Sequence, residues 1–274
     1  MATITWVGDT SSAWGTGANW SGGAEPSNDD TVYIDGTVSI DGVDKSAVHL
    51  DALIIRETYT GQFGTSAANP VKIAVDGECS ILGGSAVYIN SGASNPIVNL
   101  LVSMPVPQRV VDIGGTVTYG QFLRGTVTSA ASYTGFALEP IDDNPFNLPQ
   151  TTLTGGTLTT ADISNATLWI TTATTLTTAN FMDATCWNYA GTFTTVNCVG
   201  RFTNFKHYHT ATITTLNIKK GAFFDGSLDR RTKTITNVIL HENSSIDKGN
   251  MTLTNDVKTP ARLVASKYTA TGAR

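Results

Sequence analysis

Charge is what this chain has least of. Asp, Glu, Lys and Arg make up 14% of its 274 residues, against a usual ~25% in soluble domains. Hydrophobic residues still reach 41%, so the low charge points away from disorder. Cysteine is scarce as well. Cys79, Cys186 and Cys198 are odd in number and form no C-x-x-C pair, which argues against a disulfide framework and for small core residues. No stretch approaches the ~18 apolar residues of a membrane span. The opening Met1-Ala-Thr-Ile-Thr-Trp6 lacks the basic start and apolar core of a signal peptide, so the expectation is a chain that stays on the cytoplasmic side. Helical periodicity is missing over any useful length. So are a Gly-rich phosphate loop ahead of a helix and a G-x-S-x-G element.

Threonine fills the space. Of 44 Thr, 27 fall between Thr151 and Thr254. The side chain is β-branched and packs well on a pleated surface. A pattern recurs as Thr157-Leu-Thr-Thr-Ala-Asp-Ile163, Thr175-Leu-Thr-Thr-Ala-Asn-Phe181, Thr192-Phe-Thr-Thr-Val-Asn-Cys198 and Thr212-Ile-Thr-Thr-Leu-Asn-Ile218. A weaker copy starts at Thr234 and a truncated one at Thr252, and the starts are 18, 17, 20, 22 and 18 residues apart. The second, fifth and seventh places are apolar in the first five copies. A second block follows each: Ala166 to Ile170, Ala184 to Asn188, Gly200 to Asn204, Gly221 to Asp225 and Ser244 to Lys248.

Repeats this short cannot bury their own apolar face, but stacked coils bury a continuous one. The expected fold is therefore all-β, a single-chain parallel β-solenoid (β-helix) of short coils. Strands of successive coils lie ~4.8 Å apart, so matching residues form columns. Leu158, Leu176, Phe193, Ile213 and Ile235 are the expected buried column. Asp162, Asn180, Asn197 and Asn217 are expected as a polar column at a turn, bonding local backbone. Residues 1–45 read as an N-terminal cap and first strands, 46–150 as irregular coils, and 151–257 as regular coils. Residues 258–274 read as a tail that caps the last coil or docks to a partner. Thr31 to Asp35, Thr37 to Asp41, Val71 to Val75 and Ser85 to Asn90 are strand-like runs of the irregular part.

Net charge is uneven. Residues 1–200 hold 5 basic and 17 acidic side chains, and residues 201–274 hold 12 basic and 5 acidic. That asymmetry would orient an elongated molecule on a charged partner, or it marks a solvated tip. It makes Lys258, Arg262 and Lys267 candidate contacts to an acidic surface, weakened by salt.

The opening Trp6-Val-Gly-Asp9, Trp14, Asn19-Trp20, Pro26 and Asp30-Thr-Val-Tyr-Ile34 resembles the N-terminal cap of β-helical bacterial surface proteins and tailed-bacteriophage virion proteins. Thr214-Thr-Leu-Asn-Ile218 and its relatives resemble the coil repeat of phage-encoded β-helix proteins. With no signal peptide, the resemblance implies the phage branch: a non-enzymatic homotrimer of the virion. Such a trimer would decorate the head, bind the major capsid protein and stabilise the assembled shell. The alternative is a tail-fibre or tailspike segment that binds cell-surface glycans, or, further off, a polysaccharide depolymerase. No cofactor, membrane or nucleic-acid partner is expected.

Catalysis has little to work with. Asp29-Asp30 and Asp142-Asp143 sit in turn-like sequence. Asp162 and Asp183 share no repeat position, so they do not form the carboxyl pair of a glycosidase. Lys206-His207-Tyr208-His209 places two imidazoles on one face if it is a strand. Three copies would then meet on a trimer axis as a metal site; otherwise the segment is a surface loop. Trp169 and Trp187 occupy one repeat position and should stack. If Leu168 and Cys186 point inward, these tryptophans face out, toward a subunit or a sugar; in the opposite phase they are core.

Overall fold

A computed structural model describes residues 2–255 apart from 9, 93, 106–108, 142–147, 209, 211 and 242. The chain is all-β, a parallel β-solenoid of about 10 turns. The single helical element among the described residues is the 3-10 turn Gly17–Asn19. Two compact units divide it: Met1–Gly135 with Ile141–Pro149, and Phe136–Pro140 with Gln150–Arg274.

In the first unit, Thr3–Trp6, Thr31–Ile34, Val43–Ile55, Val71–Ile81, Ile97–Ser103 and Thr116–Arg124 pair in parallel, each with the next. Their register stacks Trp6, Ile34, Ile55, Ile81, Val102 and Phe122 into one column, every member of it buried. Register shifts at Lys45/His49, Leu50/Ala52 and Val75/Glu78 break the ladder, which is why no fixed repeat is visible here. Thr37 to Asp41 is not a strand; only Ile40 bridges, to Phe63. The Val38 carbonyl instead accepts the Trp6 indole N–H at 3.1 Å and the Tyr59 hydroxyl at 3.2 Å.

The cap motif is a set of local solutions. Trp6, Trp14 and Trp20 are each at most 2% exposed and meet edge to face, with centroids 4.9 Å (Trp6–Trp20) and 4.7 Å (Trp14–Trp20) apart. Residues 19–21 return antiparallel to the first strand, with Val7 N–H on the Asn19 carbonyl and Ser21 N–H on the Thr5 carbonyl. That covers an edge that would otherwise invite pairing with another chain. The buried Asn19 carboxamide Oδ1 accepts from Thr10 N, Thr10 Oγ1 and Ser11 N, and its Nδ2 donates to Ser11 Oγ and the Ala13 carbonyl.

Asp30, 4% exposed, holds Ala2 N–H at 2.7 Å, Ser27 N–H at 3.0 Å and the Ser27 hydroxyl at 2.9 Å. Burial pushes its pKa up, but these donors outweigh burial and hold the carboxyl below its ordinary 3.8. A depressed folded-state pKa contributes stability above the unfolded value and loses it as pH falls through the folded one. The melting temperature is therefore expected to drop as pH falls below about 4. Asp30→Asn is expected to cost about 1–3 kcal/mol at neutral pH, by mismatching buried donors, and to flatten that acid limb. Parallel acid titrations by circular dichroism check both. Identical limbs in the two proteins would remove Asp30 as the cause.

In the second unit the repeat sets the structure directly. Thr157–Ser164, Thr175–Met182, Thr192–Val199, Ile213–Lys219 and Lys233–Leu240 stack in parallel. Leu158, Leu176, Phe193, Ile213 and Ile235 form the expected column, at most 1% exposed. Ala161, Ala179, Val196, Leu216 and Val238 form a second, and Ile163, Phe181, Cys198, Ile218 and Leu240 a third. The pattern slips between the second and fifth places, where two consecutive residues such as Thr159 and Thr160 are not buried; the strand bends there. Short strands Gln150–Leu153, Thr167–Ile170, Thr185–Asn188, Asn204–His207, Phe223–Asp225 and Ser245–Asp247 close the coils. All three cysteines are free and buried, and burial, with the Glu78 carboxylate adding to it, pushes the Cys79 thiol up to about 12.

Two expectations need correction. The Asp162, Asn180, Asn197 and Asn217 column lies within the long strands, not at a turn. Its side chains bond one another: each amide Nδ2 donates to the Oδ1 one coil below, at 2.7 Å in all three steps. The turn position comes three residues later, at Asn165 (φ 46°), Asp183 (φ 50°), Gly200 (φ 91°) and Lys220 (φ 53°). Three of these four are residue types that accept left-handed backbone most readily. The third coil's second block is also offset. Its strand is Asn204–His207, with Phe205 beside Cys186, while Phe202 is 65% exposed. The extra residues of that coil are taken up in the turn that ends at Thr203.

Candidate binding surfaces

The structure decides the phase of the tryptophans. Leu168 and Cys186 are fully buried, and Trp169 and Trp187, adjacent in register, lie half-buried on the outer face. Continuing up the axis, Lys206 stands beside Trp187 and Asp225 beside Lys206. The Lys206 ammonium lies 3.6 Å from the Trp187 ring centroid. Tyr208 stacks on Trp187 at 5.8 Å and on Tyr189 at 4.8 Å. Burial, helped by Tyr189 and Asp225, pushes the Tyr208 phenol above its ordinary pKa. The result is a self-stacked aromatic patch in which Tyr189 is still 38% exposed. Tyr189, Lys206 and Tyr208 are the members that the sequence reading missed. Once Phe205 rather than Phe202 is aligned with Cys186, Lys206 falls on the Trp187 position and Tyr208 two residues further on.

His207 is not on an outer face. It is fully buried, in the inner column after Ile170 and Asn188, with Asn188 Nδ2 3.0 Å from its Nδ1. Asn188 also donates to the Gly191 carbonyl and accepts from the Gly191 N–H. Both the surface-loop reading and the axial metal reading of this segment fail for His207, while His209 lies outside the described residues. Among the described residues no group of three or more His, Cys, Asp or Glu side chains is placed to hold a metal ion.

Four of the acids have local duties. Asp30 clamps the first strand, Asp162 ends the amide ladder, and Asp183 Oδ1 accepts the Phe202 N–H at 3.1 Å from its turn. Asp29 occupies a left-handed turn at φ 63°. Asp142, Asp143, Lys258, Arg262 and Lys267 lie outside the described residues. No described helix is long and apolar enough to cross a membrane.

A second surface is formed by the outward Thr rows. Thr157, Thr175 and Thr192 form one column, Thr159, Thr177 and Thr194 another, all exposed. A third feature is a groove on the outer face of the long strands, between the sixth and eighth places of the repeat. No protein-family model, no curated protein and no solved structure matches this chain.

Proposed function

We propose that this protein is a non-enzymatic structural component of a tailed-phage virion, a trimer that decorates the head and stabilises the assembled shell. The observation that carries this reading is the pair of exposed Thr columns. They present a regular, uncharged β-surface with short branched side chains. Such a surface suits close packing of identical chains around an axis, because no charge is desolvated and little side-chain entropy is lost. The local duties of Asp29, Asp30, Asp162 and Asp183 support a role without catalysis, and the cap resemblance supports the virion setting. Attachment acts by mass action: a protein that binds only the assembled shell shifts the equilibrium toward it.

Purified protein is expected to run at three times the chain mass by light scattering and to co-sediment with virions. Thr177→Arg together with Thr194→Arg, which places guanidinium groups in the packed face, is expected to give monomers that remain folded. A wild-type monomer, or virions that neither contain nor take up the protein, sinks this reading.

A further inference from the structure

One corner of the second unit carries exposed apolar surface. There the long strand of each coil turns into the short one. Met182 ends Thr175–Met182 and is 53% exposed. Val199, paired with Met182 one coil on, is half-buried. Phe202, the most exposed of the three, stands in the widened turn between Thr192–Val199 and Asn204–His207. Its N–H donates to Asp183, the chain neighbour of Met182, so Met182 and Phe202 leave the fold at the same corner. Large apolar side chains grouped on a surface mark an interaction site.

The same turns are basic. The Arg201 guanidinium lies 4.7 Å from the Phe202 ring centroid. Lys219 pairs with Val199 one coil further on, and Lys220 follows it in the turn. None of these three cations makes an ion pair among the described residues. In the turns 182–184, 199–203 and 219–222 the one acid is Asp183, which is engaged by the Phe202 N–H. Asp162 lies three coils from Lys219, about 14 Å at the coil rise, which exceeds the Debye length of ~8 Å at physiological salt. Glu139 follows the strand beneath Thr157–Ser164, further away again. Burial, with the Lys219 ammonium adding to it, holds the His241 imidazole below its ordinary pKa. His241 is therefore neutral at pH 7, and the charge of the corner is that of Arg201, Lys219 and Lys220.

We propose that this corner docks the protein onto a membrane surface rich in anionic phospholipid, lying on it rather than crossing it. Headgroup phosphates complement the three cations, and the acyl boundary takes Phe202 and Met182. Lys and Arg reach the headgroups on aliphatic stems while the apolar side chains go deeper. These residues project from successive turns and line no cleft. A deformable lipid interface accommodates such a surface, whereas a protein partner would need an apolar pocket and acids matched to each side chain. The expectation of no membrane partner rested on the lack of an apolar span, and this mode of binding needs none. It requires neither the trimer nor attachment to a virion.

The full chain is mixed with vesicles of phosphatidylcholine, or of phosphatidylcholine and phosphatidylglycerol in equal parts, and bound protein is measured by flotation. Binding is expected to the anionic vesicles alone. It is expected to weaken as salt rises toward 1 M, where the Debye length falls to about 3 Å. Phe202→Ser is expected to weaken it about tenfold, the scale of a partly buried aromatic side chain. Lys219→Gln and Lys220→Asn are each expected to weaken it about fivefold, the scale of one basic residue near an anionic surface. Asn suits position 220, where φ is 53°, because it accepts left-handed backbone. Leu228→Ser is the control and is expected to change nothing. Leu228 is 45% exposed, but Arg231 of its turn is held by Asp229 at 2.7 Å. Wild-type melting temperatures establish that the variants are folded. Their mass and co-sedimentation with virions are expected to match the wild type, so failure here leaves the virion reading standing. No binding to anionic vesicles, equal binding to both vesicles, binding indifferent to Phe202→Ser and both Lys variants, or an equal loss in Leu228→Ser overturns the proposal. Capture by polyglutamate that the Lys variants weaken, without vesicle binding, also overturns it, by assigning the corner to an acidic protein.

Discussion

Leu176→Asp is expected to destabilise the protein by about 3–5 kcal/mol or more, since an isolated buried carboxylate must either stay charged without a partner or be protonated at a cost. Leu176 has no exposed surface and sits between Leu158 below and Phe193 above. A charge there damages three coils at once, because each coil buries its apolar face only against its neighbours. Thr177→Asp, one residue along and exposed on the single chain, is expected to cost the fold of that chain within about 1 kcal/mol, whatever it does to assembly. Urea denaturation of the two variants reads the difference directly. Equal midpoints would mean that the inner and outer faces are interchanged.

The next largest effect is expected at the other end of the chain. Trp20→Ala removes an indole wedged between Trp6 and Trp14, whose N–H donates to the Trp14 carbonyl at 2.7 Å. A large buried aromatic truncated to Ala costs about 3–5 kcal/mol in transfer and cavity terms. Two further consequences follow from its position. The returning segment 19–21 loses its anchor, so the Thr5 carbonyl and Val7 N–H are released, and the first strand regains an open edge. Lower stability is therefore expected together with a tendency to associate, seen as light scattering near the melting transition. Trp187→Ala is the matched control. That indole is half-buried on the outer face and its loss is expected to cost about 1 kcal/mol, the scale of a stacked pair and a cation–π contact. If the control is the more damaging of the two, the cap is not a stability element.

The apolar columns of the second unit were legible because their cause is local and repeated. A residue at the second, fifth or seventh place of a coil meets its own equivalent in the next coil, so period alone names the neighbours. The same reasoning misplaced the Asx column. Asp and Asn are favoured both where backbone turns and where a side chain can pair with its copy one coil above. Sequence spacing does not separate these two uses, and the turn fell to Asn165 and Asp183 instead. The third coil misled for a related reason. Phe202 and Phe205 are equally apolar, and only the length of the preceding turn determines which one enters the core.

The surfaces lay further from view. Whether Trp169 and Trp187 face in or out depends on a one-residue phase, and the burial of Leu168 and Cys186 settled it. The groove was invisible in the sequence, since it exists only where two outward rows of adjacent coils stand side by side. What the sequence determined by itself was the all-β class, the stacking of short coils, and the residues that line the interior of the second unit. Those follow from composition and period, which act between residues a fixed number of places apart. Only the tertiary structure decided the amide ladder, the inward turn of His207, the aromatic stack of Tyr189, Tyr208 and Trp187, and the groove. Each of these depends on the register between coils of unequal length, and register is set by how the irregular turns pack rather than by the repeat that they interrupt.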